Sequence, residues 1–452
     1  GLSSQITLLN LNDESAASAS VEILDQQGEP LQEPLTGLPE GQTLGDFTVP
    51  ASGVLNLRSD GEGEVQVGSV RVTSDRHVVG VVTFGGDVGL AGVGASELFE
   101  EGLRAPVRSN SAAGLRTGLA LTDLSGGQNA LMLELLDGGG QAVAQAVPDP
   151  LAASGQTALF ADEVDWDSEV DFSDFNGSLA VTGAGALTGT VLETVPGEFI
   201  TLPVSELTAS QDGQAAVLGQ APTPRGEAPV QHVLNFAQFA DGAGLSSALV
   251  LVNLDGENQA AATILLNDAG GQPLTADLEG EAVEGQTEIV IAAGGMRVLA
   301  SDGEGDLAQG SAQVVSDHPL AGVIVFTGPG LGSAGVGAGE ELPEGFQAPM
   351  ESDTMLGINT GVALMNLESE DNVLEAQLFD AQGALAAETE ITLTALGRDA
   401  LFVNQFDWDQ EVDFGAFEGS LRVRTSGRLA ATVIQTRPGQ FATQPVALKP
   451  AQ

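Results

Sequence analysis

Apolar residues in this chain come in short runs, many alternating with polar ones. ITLLNL (6–11), ASVEIL (19–24), GVLNL (53–57), VQVGSVRV (65–72) and VVGVVTF (78–84) follow one another within the first hundred residues. Alternation sends successive side chains to opposite faces of a strand, so each run predicts a half-buried β-strand. Gly, Asn, Asp and Pro punctuate the runs in DQQGEP (25–30), SDGEGE (59–64), TVPGEF (194–199) and TGPG (327–330). Strands at this spacing with such turns predict an antiparallel sandwich. Helical periodicity is nearly absent; ALFADEV (158–164) and ALFVNQF (400–406) each predict a helical turn or two.

The pattern recurs. EVDFSDFNGSLAVTG from Glu169 returns as EVDFGAFEGSLRVRT from Glu411, GLSSQITLLNL from Gly1 as GLSSALVLVNL from Gly244, and RTGLALTDL from Arg116 as NTGVALMNL from Asn359. A near-constant offset over the whole chain predicts tandem duplication of one folded unit. Each unit looks double itself: LLNLNDESAASASVEILDQQGEPL from Leu8 resembles LALTDLSGGQNALMLELLDGGGQAV from Leu119, each ending in a D-x-x-G turn. The expected organisation is four modules over 1–105, 106–205, 232–348 and 349–452, with a polar, proline-containing linker over 206–231. VLNFAQF (233–239) reads as a first strand of the third module. The first module has no equivalent ahead of Gly1.

Charge narrows the partners. Asp and Glu number 63 against 14 Lys and Arg, a net charge of −49, and Lys449 is the single lysine. Phosphate binding needs basic patches, so nucleic acid is excluded as an expected partner, and an anionic membrane surface is disfavoured. The acid excess fits a saline habitat. Without cysteine, neither a disulfide framework nor a thiolate metal site can form. No run of 18 apolar residues exists, so membrane insertion by a helix is not expected. The opening at Gly1 without Met is read as a removed leader or an excerpt.

FAQFADGAGLSSALVLVNL (236–254), GSAQVVSDHPLAGVIVF (310–326), TGVALMNL (360–367) and FEGSLRVRTSGRLAATVIQTRPGQFATQPV (417–446) together resemble a tandem module of many secreted or surface-exposed bacterial proteins. Those modules are mostly of unassigned function and are taken to be immunoglobulin-like β-sandwiches. The likeness covers nearly the whole chain. It implies an exported, repetitive, non-enzymatic part and transfers no catalytic residue.

Two acidic patterns are the candidate chemistry. DWDSEVD and DWDQEVD place Asp165, Asp167, Glu169 and Asp171, and Asp407, Asp409, Glu411 and Asp413, at alternate positions, on one face of an extended segment. SDGEGE and SDGEGD offer Asp60, Glu62 and Glu64, and Asp302, Glu304 and Asp306. Either set can offer oxygen ligands to Ca²⁺, the one cofactor the sequence brings into view. The competing reading is solvated turns and charge that blocks edge-to-edge pairing. Trp166 and Trp408 read as caps on a core edge. His77, His232 and His318 form no site, and GVGAS (92–96) and GVGAG (335–339) read as turns. No nucleophile, phosphate or zinc motif appears in a fitting context, so no enzyme is expected.

The expectation is therefore an all-β chain of four immunoglobulin-like β-sandwich modules in two duplicated pairs, elongated. It is read as an extracellular or cell-surface structural or adhesive protein. It forms part of a fibre, filament or matrix layer and associates with itself or with other surface proteins. Alternatives are a glycan- or protein-binding module and a calcium-stiffened spacer. A strand from elsewhere, either VALKPAQ (446–452) of a neighbouring copy or sequence upstream of Gly1, is expected to complete the first module; the alternative is truncation, with a module that manages with one strand fewer.

Overall fold

A computed structural model describes residues 2–31, 35–39, 41–86, 89–95, 98–207, 231–329, 332–444 and 446–448. Among these, 36 strands and two single-turn 3₁₀ segments form, with no α-helix, and every named strand pairing is antiparallel. Period-two patterning decides which side of each strand is buried. In Ala17–Asp25, Ala17, Ala19 and Val21 point inward while Ser18 and Glu22 face solvent. In Leu131–Asp137, Leu131, Leu133 and Leu135 are buried and Met132 is exposed.

The strands form nine sheets. In the first stretch of chain, Ser3–Asn10 lies between Val54–Ser59 and Val78–Gly86. That sheet shares a core, including Leu8, Val21, Phe47 and Leu57, with the sheet Phe47–Val49, Ala17–Asp25, Gly68–Ser74. The stretches 98–207, 231–337 and 345–448 each likewise contribute two larger sheets to a buried cluster. The expected helical turns are the 3₁₀ segments Ala161–Glu163 and Val403–Gln405.

The stretches meet at four seams, and one contact recurs at each. A D-x-x-G hairpin turn seats on an Ala-x-Gly loop of the next stretch. Gln156 N donates to Gln26 O (3.1 Å), Met296 N to Gly138 O (3.2 Å), Arg398 N to Ala269 O (3.1 Å) and Val54 N to Ala381 O (3.2 Å). The acceptor in each case directly follows the turn's aspartate, whose Oδ1 takes backbone N–H groups of the same turn: Asp25 from Gln27 and Glu29, Asp137 from Gln141, Asp268 from Gly270 and Gln272, Asp380 from Gln382 and Ala384. The turn must end in glycine. Gly28, Gly140, Gly271 and Gly383 have φ of 80°, 77°, 77° and 79°, and a Cβ there would stand 2.2, 1.8, 2.1 and 1.7 Å from the carbonyl oxygens of Ala153, Ala293, Ala395 and Ala51.

The fourth seam returns the last stretch to the first, so the arrangement closes on itself. The expected elongated form is corrected: a head-to-tail contact that closes makes a ring, and one that does not makes a rod. At the centre, Gly89–Gly94 packs against Glu198–Leu202 and Gln440–Gln444, and Gly332–Gly337 packs against the same two strands. This corrects a second expectation. GVG at 92–94 and 335–337 lies in strand, and the small residues permit close approach: a Cβ on Gly92 would lie 2.3 Å from Thr443 O. The Oγ1 atoms of Thr201 and Thr443 donate to Gly92 O (2.6 Å) and Gly335 O (2.9 Å).

The expected divisions at 105/106 and 348/349 fall inside strands Leu103–Asn110 and Gly345–Ser352, because the turns precede those strands. Ser205–Glu206 pairs with Arg104 and Leu103, so the polar connection starts later than its composition suggests; residues 208–230 lie outside the described residues.

Candidate interaction surface

Four strands carry the same G-S-x-x-V start: Gly68–Val72, Gly177–Val181, Gly310–Val314 and Gly419–Val423. Three are interior to their sheets. Strand Asp174–Gly183 is covered by Leu103–Asn110, Ala308–Ser316 by His232–Asp241, and Phe417–Thr425 by Gly345–Ser352. Gly68–Ser74 pairs with Ala17–Asp25 on one side and ends its sheet, with no partner strand on the other side among the described residues. Burial follows: Val181, Val314 and Val423 are at most 1% exposed, whereas Val72 is 37% exposed and the flanking Val65 and Val67 are 70% and 46% exposed. Residues 65–74 carry one charge, Arg71, in a chain of net charge −49. Edge strands are usually blunted by charge, proline or bulges; Arg71 is the one such feature here, with no proline and no register shift.

The covering strands present the same kind of side chain at the same register. Opposite Val181, Val314 and Val423 stand Leu103, Leu234 and Phe346; opposite Leu179, Ala312 and Leu421 stand Ala105, Phe236 and Ala348; opposite Gly177, Gly310 and Gly419 stand Val107, Phe239 and Met350. On the other face, Arg104 donates to Asn253 O (3.0 Å) and Gln347 to Ser52 O (3.4 Å), both across seams.

The expected donor for this edge is corrected. Ala447–Leu448 pairs with Gln347 and Phe346 of its own stretch, so those residues are already engaged. Residues 449–452 lie outside the described residues.

The acidic candidates lie apart from this edge and serve turns. Along 164–172 the acids Asp165, Asp167, Glu169 and Asp171 face solvent while Val164, Trp166, Val170 and Phe172 pack on the core; Asp407, Asp409, Glu411 and Asp413 alternate likewise with Phe406, Trp408, Val412 and Phe414. Asp167 accepts Gln145 N and Asp409 accepts Glu388 N, both at 2.9 Å, and Asp171 and Asp413 accept Ser173 N and Gly415 N. The hydroxyl and amide of Ser173 hold the Asp171 carboxyl below its ordinary pKa. The indole N–H groups of Trp166 and Trp408 donate to Ala161 O and Val403 O at 2.8 Å, which makes each tryptophan a cap on its core edge. Asp60 and Asp302 close their loops by accepting Glu62 N and Glu304 N. Among the described residues no three His, Asp or Glu side chains converge as a metal site, because alternation spreads the carboxylates along the outer face instead of around a point.

His318 Nδ1 lies 3.0 Å from Asp255 Oδ2. His232, half-buried at the start of its strand, is held below the ordinary histidine pKa by burial and, secondarily, by His318.

Arginine is placed at the seams. Arg71 reaches Ser154 Oγ (2.8 Å), Arg398 reaches Gln238 (2.6 Å), Arg422 reaches Ser52 Oγ (2.6 Å), and Arg58 meets Glu418 (2.5 Å) and Glu351 (3.3 Å). With Arg104, these bonds bridge all four seams. Beside Arg104 a cavity of about 20 Å³, room for one water, is lined by Pro106, Pro203, Val252 and Val323.

The D-x-x-G turns are legible in the sequence as a repeat, but no local pattern points to the loops they dock on. No family model matches the chain, and no curated protein matches it. Among solved structures, the PBSX exported protein XepA is similar in part, with 9% identity, a TM-score of 0.13, and coverage of 49% of this chain and 84% of that one. No helix among the described residues is long and apolar enough to cross a membrane.

Proposed function

We propose that this chain is a structural or adhesive protein of a cell surface or extracellular matrix. In this reading it consists of four immunoglobulin-like β-sandwich modules descended from a duplicated pair. It works by assembly with further copies or other surface proteins, not by catalysis. The observation that carries the reading is the edge Gly68–Ser74: a valine-bearing strand, free of acidic residues, on a strongly acidic chain. Backbone pairing at such an edge gives association that tolerates the repulsion between acidic copies better than side-chain contacts do. The four like seams support the module reading, since one turn-on-loop contact serves each junction. They also favour a ring-shaped subunit over a rod as the building block.

The test is negative-stain imaging and sedimentation of the full chain at low and high salt, with and without Ca²⁺. The reading expects ring-sized particles that join into chains or sheets as salt screens the acids. Particles that stay single under every condition, with no adherence to a cell surface, would overturn it.

A further inference from the structure

We infer that the ring has a built-in opening, at the closing seam where the stretch 345–448 meets the first stretch. Two seams of the molecule match in strand register and differ in chemistry. In the first stretch Gln5 stands beside Thr83, and Thr7 beside Asn56; in the stretch 231–337 the same places hold Ala248 beside Val325, and Val250 beside Val298. Each set faces the preceding stretch around the ring. Val250, Val252, Met296, Val323 and Val325 join the core of 98–207 in one apolar cluster, with Ala248 and Val298 packed against it. Gln5, Thr7, Asn56 and Thr83 are also buried, yet the cores on the two sides of their seam stay separate clusters. A small patch of Leu9, Leu11, Val54 and Ala447 supplies apolar contact there.

A polar network fills the closing seam. Gln5 Nε2 donates to Glu351 Oε2 (3.1 Å), Arg58 Nε to Gln5 Oε1 (3.0 Å), Arg58 Nη2 to Glu351 Oε1 (3.3 Å) and Thr7 Oγ1 to Asn56 Oδ1 (2.7 Å). Gln435 Nε2 donates to the same Glu351 oxygen as Gln5 (2.7 Å), while its own buried Oε1 has no hydrogen-bond partner among the described residues. Water replaces these bonds when the seam parts and supplies the missing one, so parting forfeits little. Parting the matching seam would return buried valines and a methionine to water, which the hydrophobic effect opposes. The opening therefore falls at the polar seam, while the apolar one holds 98–207 and 231–337 together. It is a property of the single chain, whatever that chain assembles with. The parted faces carry opposite charges, Arg58 on one and Glu351 and Glu418 on the other, so they close again on the same partners.

Two amides report the two seams. Val54 N donates to Ala381 O across the closing seam and Met296 N to Gly138 O across the matching one, both at 3.2 Å. The experiment is native-state hydrogen exchange of the full chain in urea below its unfolding transition. After correction for intrinsic rates, Val54 should exchange about tenfold faster than Met296 or more, and its rate should rise with urea because a parting seam exposes surface. Thr7→Val with Asn56→Val and Thr83→Val, which leaves Glu351 its donors, should slow Val54 toward the Met296 rate. Should that variant fail to fold, Val250→Thr with Val298→Asn decides: Met296 should exchange faster, with Val54 unchanged. Spin labels follow the parting itself. The chain has no cysteine, so Glu62→Cys with Met355→Cys labels the two sides of the closing seam, and Ala112→Cys with Glu304→Cys those of the matching one, all at exposed positions. The first distance should lengthen in urea before the second. Val54 exchange as slow as that of Met296, a Val54 rate indifferent to urea or to the folded valine variant, a Met296 rate indifferent to the reciprocal one, or both label distances lengthening together overturns the opening.

Discussion

Asn253 shows how a single buried side chain fixes a seam. It is fully buried at a strand end; its Nδ2 donates to the carbonyls of Asn258, Ile291 and Ala292, and its Oδ1 accepts Asp255 N. Ile291 and Ala292 lead directly into the Ala293–Gly295 loop that receives a turn of the preceding stretch. Asn10 and Asn366 hold their loops in the same way, at Val49 and Thr394. The fourth position is Asp123, and its surroundings explain the change: they offer donors, namely Ser125 N, Ser154 N and Asn129 Nδ2. Asn253→Ala should therefore cost about 3 kcal/mol, since several buried backbone groups lose their partner. Asn253→Asp, although isosteric, should cost at least as much, because its oxygen would face three carbonyls. Urea unfolding midpoints measure both; an aspartate variant as stable as wild type would contradict this account.

At the scale of the element, the D-x-x-G turn does more than reverse the chain. Its aspartate organises the turn, its second residue accepts the inter-stretch bond, and its glycine allows backbone to touch backbone. Two glycines separate these roles. Gly271 has φ 77° and a Cβ would lie 2.1 Å from Ala395 O; Gly126 has φ 74° and nothing within 4 Å. Gly126→Ala should lose only the left-handed conformational penalty, about 1 kcal/mol. Gly271→Ala should lose that and the seam contact, roughly 2 kcal/mol more. Equal melting temperatures for the two variants would mean the seam contributes nothing. A D-x-x-G turn is legible in sequence as a hairpin tip; its docking partner lies more than a hundred residues away, where no local pattern points to it.

For the whole molecule, the governing balance is between a net charge of −49 and seams bridged by arginine. Five of the twelve arginines among the described residues make seam bonds, and Arg104, Arg398 and Arg422 are buried there, where salt screens them least. The acids are largely exposed, so added salt relieves their repulsion more than it weakens the seams. The melting temperature should rise steadily from low to physiological ionic strength, with NaCl and KCl alike. A fall would show that exposed ion pairs such as Arg428 with Glu368 and Glu341 dominate instead.

Alternation along the chain was sufficient to indicate an all-β structure, because which face of a strand is buried follows from period two alone. The 3₁₀ turns, the tryptophan caps and the exposed face of the DWD segments were likewise local matters, set by residues within a few positions of one another. Closure was not local. Whether a head-to-tail contact forms a rod or a ring depends on the rotation between successive units, which side-chain pattern does not encode, so the elongated expectation failed. The glycines of GVG read as turns because sequence records their flexibility and not their neighbours; only packing shows that another strand occupies the space a Cβ would take. The bare edge at Gly68–Ser74 needed both. Alternation marks its valines as strand residues, and the tertiary structure shows that this strand ends its sheet among the described residues.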